Sequence, residues 1–283
     1  MYVHFCDFCD PQKKSLNESC VKKVVDTYYG EGIDLEQKGE VLFFFAFNSR
    51  SIRYPEELGF LIAKESLEYG SFQKEYDHEV KKIKDFSLFE YVIYLSGKLG
   101  EEESEISKIL TVAHECKHLI QDLGVENSLL KDLLLKKYFK LKCQYPNKHY
   151  RTILNRNMFY RNMPSEYDAF RESKRMAFKI CGKENTEKFL DHEINEHKNR
   201  LIYTRCDSAG LSDEIVKLTY WEHTKAINVK ELFDFKKEFG NIWNKYNQAI
   251  KTEIKKISGK SGEQRNEKEK DLLEAYNFLC SKS

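Results

Sequence analysis

The amino-acid sequence predicts an α+β fold, and three observations carry that prediction. The run Glu40-Val41-Leu42-Phe43-Phe44-Phe45-Ala46-Phe47 is apolar or aromatic at almost every position, the pattern of a strand covered on both faces. A second short run, Tyr91-Val92-Ile93-Tyr94-Leu95, is rich in β-branched and aromatic residues and is closed by Gly97 and Gly100. From Glu101 onward, apolar residues recur at helical spacing. Strands first and helices after place the chain in the α+β class.

Taken in order, the first twenty residues concentrate His4, Cys6, Cys9 and Cys20. The spacing predicts a short helix over Val21–Tyr29, broken by Gly30 and Gly32. Glu40–Asn48 is read as a central strand and Phe86–Ser96 as a second strand. Three helices are predicted at Glu103–Leu123, Ser128–Cys143 and Ser165–Cys181. Further helical segments follow at Glu187–Asn199, Asp213–Ile227 and Val229–Ile257. The small, charged stretch 258–270 reads as a mobile loop before a last helix at Asp271–Cys280. This divides the chain into a cysteine-containing segment (1–25), a core (26–182) and a helical C-terminal subdomain (183–283).

Composition narrows the function classes. With 47 Lys and Arg against 46 Asp and Glu, the net charge of +1 gives no electrostatic reason to expect nucleic acid. The longest apolar run is strand-sized, far short of the roughly eighteen residues that a membrane span needs. No basic region followed by an apolar stretch marks Met1–Cys6 as a secretory signal, so the expected location is cytoplasmic. In that compartment eight cysteines are expected as reduced, buried or metal-binding thiols.

Residues 114–118 read His-Glu-Cys-Lys-His, the HExxH pattern. Positions four apart on a helix lie about 40° apart around it, so both imidazoles reach one ion. Glu115 falls beside that ion, placed to act as general base. Zn²⁺ suits the position, being redox-inert and able to lower the pKa of a bound water to about 7. Random placement of 8 His and 32 Glu gives about 0.025 such patterns in a chain of this length. The helix around the motif is divided by chemistry. Ser107, Thr111, His114, His118 and Gln121 share one stripe, and Ile109, Val112, Ala113, Cys116, Leu119, Ile120 and Leu123 form the other. Gln121 lines the cleft or is simply a helix-surface residue. Cys116 points into the core and is not expected as a nucleophile.

The segment Thr111-Val112-Ala113-His114-Glu115-Cys116-Lys117-His118 resembles the active helix of the ImmA/IrrE-type zincin metallopeptidases, with their T-x-A-H-E-x-x-H core. In that group the third zinc ligand is a glutamate within a later E-x-x-A motif. Glu166-Tyr167-Asp168-Ala169 matches it, so the resemblance implies Glu166 as third ligand. It also implies a zincin-like fold, a zinc-dependent peptidase activity and a protein or peptide substrate, by analogy a regulatory protein cut once. A rival ligand is Asp168, although Ser165 and Asp168 also read as a capping box.

His192 and His197 are five apart and cannot share an ion from a regular helix. His223, Tyr160 and Tyr167 are the candidates for steadying an oxyanion. His4, Cys6, Cys9 and Cys20 read first as plain reduced residues of a partly ordered terminus, although they supply enough donors for a structural zinc, or a thiolate that caps the active-site ion. The alternative to an enzyme is a non-catalytic zincin-like binding or adaptor module. The oligomeric state is not legible.

Overall fold

The computed structural model describes residues 2–6, 11–46, 59–96, 99, 104–124, 127–142, 164–200 and 236–282. Its elements are β1 (Tyr2–Cys6), α1 (Pro11–Gly30), β2 (Glu40–Ala46), β3 (Gly59–Ala63), α2 (Leu67–Glu75), α3 (Asp77–Val80) and β4 (Phe89–Ser96). The helices α4 (Glu105–Gly124), α5 (Asn127–Lys142), α6 (Pro164–Cys181), α7 (Lys183–Arg200), α8 (Lys236–Ser258) and α9 (Glu267–Lys282) follow. The class is α+β, mostly helical, with one small mixed sheet.

The sheet has strand order β1-β2-β4-β3, with β1, β2 and β4 parallel and β3 antiparallel to β4. β2 sits between two neighbours and is buried on both faces from Val41 to Ala46, the environment its unbroken apolar run requires. Its side chains alternate. Val41, Phe43 and Phe45, with Tyr91, Ile93 and Leu95 of β4, join a core shared with α1, α4 and α6. Leu42, Phe44 and Ala46, with Val92 and Tyr94, join a second core with Tyr69 and Phe72 of α2 and the turn residue Phe86.

Two strands were not expected. β1 carries His4 and Cys6, which read as ligands rather than as sheet residues, and β3 has only five residues between a glycine and charged side chains. The helix expected at Val21–Tyr29 begins ten residues earlier. Pro11 occupies its first position, where a missing N–H costs nothing, and Leu16 and Asn17 continue its inward face.

The chain forms two compact units, Met1–Gly124 with Ala169–Thr186, and Val125–Asp168 with Glu187–Ser283. In the second unit, Leu130, Leu134 and Leu135 of α5 pack with Tyr246, Ile250, Ile254 and Ile257 of α8 and Leu272, Ala275 and Leu279 of α9. The stretch 258–270, read as a loop, contributes the end of α8, a 3₁₀ turn at Gly262–Gln264 and the first turn of α9. Arg265 donates to the carbonyls of Ile257, Ser258 and Lys260. Asn266 and Glu269 cap α9 reciprocally, each backbone N–H bonded to the other's side chain at 3.0 Å. Among the described residues no helix is long and apolar enough to cross a membrane. The helix expected at Asp213–Ile227 lies outside the described residues.

Candidate metal centre

The helix that carries the HExxH motif starts where the sequence supplies a cap. Ser104 accepts from the Ser107 N–H at 3.2 Å, and Glu105 in the first turn pairs with Lys23 of α1. The apolar stripe then fixes the helix's rotation. Ile109, Val112, Ala113, Cys116 and Leu119 are almost entirely buried against the sheet and α1. Burial pushes the Cys116 thiol far above its ordinary range, so it is no nucleophile at neutral pH. Tyr28 of α1 donates to the Ala113 carbonyl at 3.4 Å, one residue before the motif. With the apolar side anchored, His114 and His118 lie half-buried on the other side.

The two imidazoles face each other through their Nε2 atoms at 3.1 Å. Bonds of 2.0–2.1 Å in tetrahedral geometry would set two ligand nitrogens roughly 3.3 Å apart. The observed separation is therefore close to that of a chelating pair. Gln121, fully buried, holds His118 in place, its Oε1 lying 2.9 Å from His118 Nδ1. A carbonyl oxygen only accepts, so a proton sits on Nδ1, and Nε2 is the nitrogen turned toward His114. Between the two expectations for Gln121, the structure gives neither a lining residue nor a surface one. It orients a histidine from within the helix's buried side.

Glu115 is also buried, at 5% exposure, which a polar motif residue on a solvated helix would not be. It reaches toward the start of the edge strand β3. A Cβ built on Gly59 would lie 3.0 Å from Glu115 Cγ, 3.2 Å from its Oε1 and 3.2 Å from the Tyr94 carbonyl. A residue without a side chain at position 59 therefore leaves room for Glu115.

Glu166 lies in the first turn of α6, again 5% exposed. One turn along the same helix, Phe170 sets its ring 4.6 Å from the His114 ring. The donor atoms of His114, His118 and Glu166 all fall within 4.8 Å of one another. Asp168, the rival ligand, is not in that group. Ala169, three residues on from Glu166, is fully buried. Sequence reasoning missed what holds this turn. Asp132 of α5 accepts from the Ser165 backbone N–H at 3.3 Å and from the Ser165 hydroxyl. Burial raises the Asp132 carboxyl to about 6, against the lowering effect of those bonds. No local pattern marks Asp132, because its partner is 33 residues away.

The N-terminal expectation divides differently. Cys20 lies in the core between α1 and the sheet, its thiol pushed up to about 12 by burial, whereas Cys6 belongs to the core on the opposite face. They cannot share an ion. His192 is exposed, as a solvated helix face predicts. Cys9, Tyr160 and His223, and the side chains of Tyr167 and His197, lie outside the described residues.

The donor set of two imidazoles and one carboxylate fits zinc, and the 3.1 Å nitrogen separation fits it without rearrangement of the helix. Comparison with protein families, with curated proteins and with solved structures finds no match to this chain.

Proposed function

We propose that the chain is a zinc-dependent endopeptidase with a zincin-like centre, hydrolysing a peptide bond of an intracellular protein substrate. The observation that carries this reading is the pair of inward-facing Nε2 atoms, one of them fixed in tautomer by a buried glutamine, with a buried carboxylate at the intervening position 115. A histidine pair serving only as core packing has no need of that third group.

His114, His118 and Glu166 are the residues that would hold the ion, leaving a fourth position open. Zinc there supplies Lewis-acid polarisation of a carbonyl and a water acidic enough to attack near neutral pH. Glu115 takes the proton of the attacking water and passes it to the leaving amine. Gln121 keeps His118 aimed, and Asp132, through Ser165, keeps the turn that carries Glu166 in helical register. The resemblance of Thr111–His118 and Glu166–Ala169 to the ImmA/IrrE-type peptidases supports the same reading.

Elemental mass spectrometry on the wild type and on His114→Ala/His118→Ala tests it, together with cleavage of a mixed peptide library. The variant is expected to carry one zinc fewer per chain and to cut nothing. Equal zinc content in the two proteins would overturn the reading.

A further inference from the structure

The strand β1 runs along the edge of the sheet, and its residues alternate between the two cores. Val3 and Phe5 pack toward α1, while His4 and Cys6 turn to the other face. Two residues apart on a strand, they project side by side, as two residues four apart do on a helix. Facing them is Glu79 of α3, 75 residues along the chain. His4 Nε2 lies 3.1 Å from Glu79 Oε2. The donor atoms of His4, Cys6 and Glu79 all fall within 4.8 Å of one another, and none of the three residues is exposed.

We propose that His4, Cys6 and Glu79 form a second metal site, independent of the one above, that takes a zinc-class divalent ion. The distances support it. A tetrahedral zinc sets nitrogen and oxygen ligands roughly 3.3 Å apart, and pairs that include sulfur roughly 3.5 Å apart. The nitrogen–oxygen pair is already there, and the gaps to sulfur close by at most about 1.3 Å, within the reach of side-chain rotation.

Two of the donors, His4 and Glu79, are also held in place. His4 stacks on Phe44, with ring centroids 5.3 Å apart and planes at 26°, which fixes the imidazole plane. Lys82 donates to Glu79 Oε1 at 2.5 Å, so Oε2 is the oxygen turned to His4. A neutral imidazole, a thiolate and a carboxylate together balance a doubly charged ion, which makes its burial tolerable. Binding releases the Cys6 thiol proton and shifts the His4 proton from Nε2 to Nδ1. A hydrogen bond between His4 and Glu79 alone would tie β1 to α3, whereas an ion would draw on Cys6 as well. The site holds an edge strand of only five residues in place, where backbone pairing is one-sided.

Cobalt(II) separates the two sites, because only the second contains sulfur. Cobalt is titrated into the full chain bearing His114→Ala/His118→Ala. The expected result is about one cobalt per chain, with a near-ultraviolet thiolate-to-cobalt charge-transfer band. Cys6→Ser should abolish that band, and His4→Gln and Glu79→Gln should each weaken cobalt binding by roughly tenfold or more. No band in the chain with Cys6 intact, or a band that survives Cys6→Ser, would overturn the proposal. If Cys6→Ser fails to fold, Glu79→Gln decides, since unchanged cobalt affinity in that variant would also overturn it.

Discussion

Two clusters in this molecule gather the same number of metal donors on different backbones, and the contrast separates binding from catalysis. In the first, a helix spaces His114 and His118 four residues apart, and Glu166 comes from a second helix. In the second, a strand spaces His4 and Cys6 two residues apart, and Glu79 comes from a four-residue helical turn. No residue of either cluster is exposed. The first has a further buried carboxylate, Glu115, between its histidines, and Gly59 leaves space around it. The second is bordered by the Phe44 ring, stacked on His4, and by Lys82, which donates to Glu79. Three ligands make a place for an ion. The fourth group, placed to move a proton, makes the first cluster a candidate for chemistry.

The largest expected effect isolates that group. Glu115→Gln should lower peptide cleavage by roughly 10²–10⁴-fold and leave the zinc content unchanged, because glutamine keeps the shape and cannot take a proton. The matched change in the second cluster, Glu79→Gln, should leave cleavage untouched. If Glu115→Gln cuts as well as wild type, the first cluster is a binding site like the second, and the contrast collapses into the adaptor reading.

Next in size is the third ligand. Glu166→Gln should weaken zinc binding at the first cluster by at least 10–100-fold, measured by competition with a chelator. Cobalt binding with its thiolate band at the second cluster should not change. Parallel loss at both would mean that the variant acts through folding rather than coordination.

Sequence and structure agree where local pattern decides the outcome and part where it does not. The apolar stripe of α4 was legible because five of its members, from Ile109 to Leu119, recur at helical spacing and all must be covered. β2 was legible because an aromatic run buried on both faces has few other homes. Glu79 as partner of His4, and Asp132 as partner of Ser165, were not legible, since each pairing joins residues distant along the chain and depends on tertiary packing. Gln121 was assigned to the wrong surroundings for a related reason. Angular counting puts it on the histidine stripe, but does not reveal that neighbouring elements cover the end of that stripe.

Gly59 offers a smaller, sharper test. Gly59→Ala adds a Cβ about 3.0 Å from Glu115 Cγ, close enough that the side chain must shift by a few tenths of an ångström. The atoms nearest that added Cβ belong to Glu115 and to the Tyr94 carbonyl. Cleavage should fall roughly tenfold, as expected when a reacting group is displaced by less than an ångström, and zinc affinity should stay within twofold. Unchanged cleavage would mean that Glu115 does not need its observed rotamer. Lost zinc would mean that the strain spreads along α4 to the histidines.

The smallest effect concerns what steadies α6, on which only the first cluster draws. Glu31, in the turn after α1, accepts two bonds from Arg175 at 2.6–2.7 Å and one from Lys179 at 2.7 Å. These bonds hold its carboxyl down at about 2, from an ordinary 4.5. A carboxylate with a depressed folded pKa adds stability above its unfolded pKa and loses it as pH falls through the folded one. The contribution should thus be complete above about pH 5 and vanish between 4.5 and 2. Arg175 and Lys179 are about half exposed, so solvent screening limits it to about 1 kcal/mol or less. Thermal unfolding of metal-free wild type and Glu31→Gln checks this. The gap between them should be small but measurable at pH 6 and should close on acidification. A gap that persists to pH 2 would assign the effect to packing rather than charge.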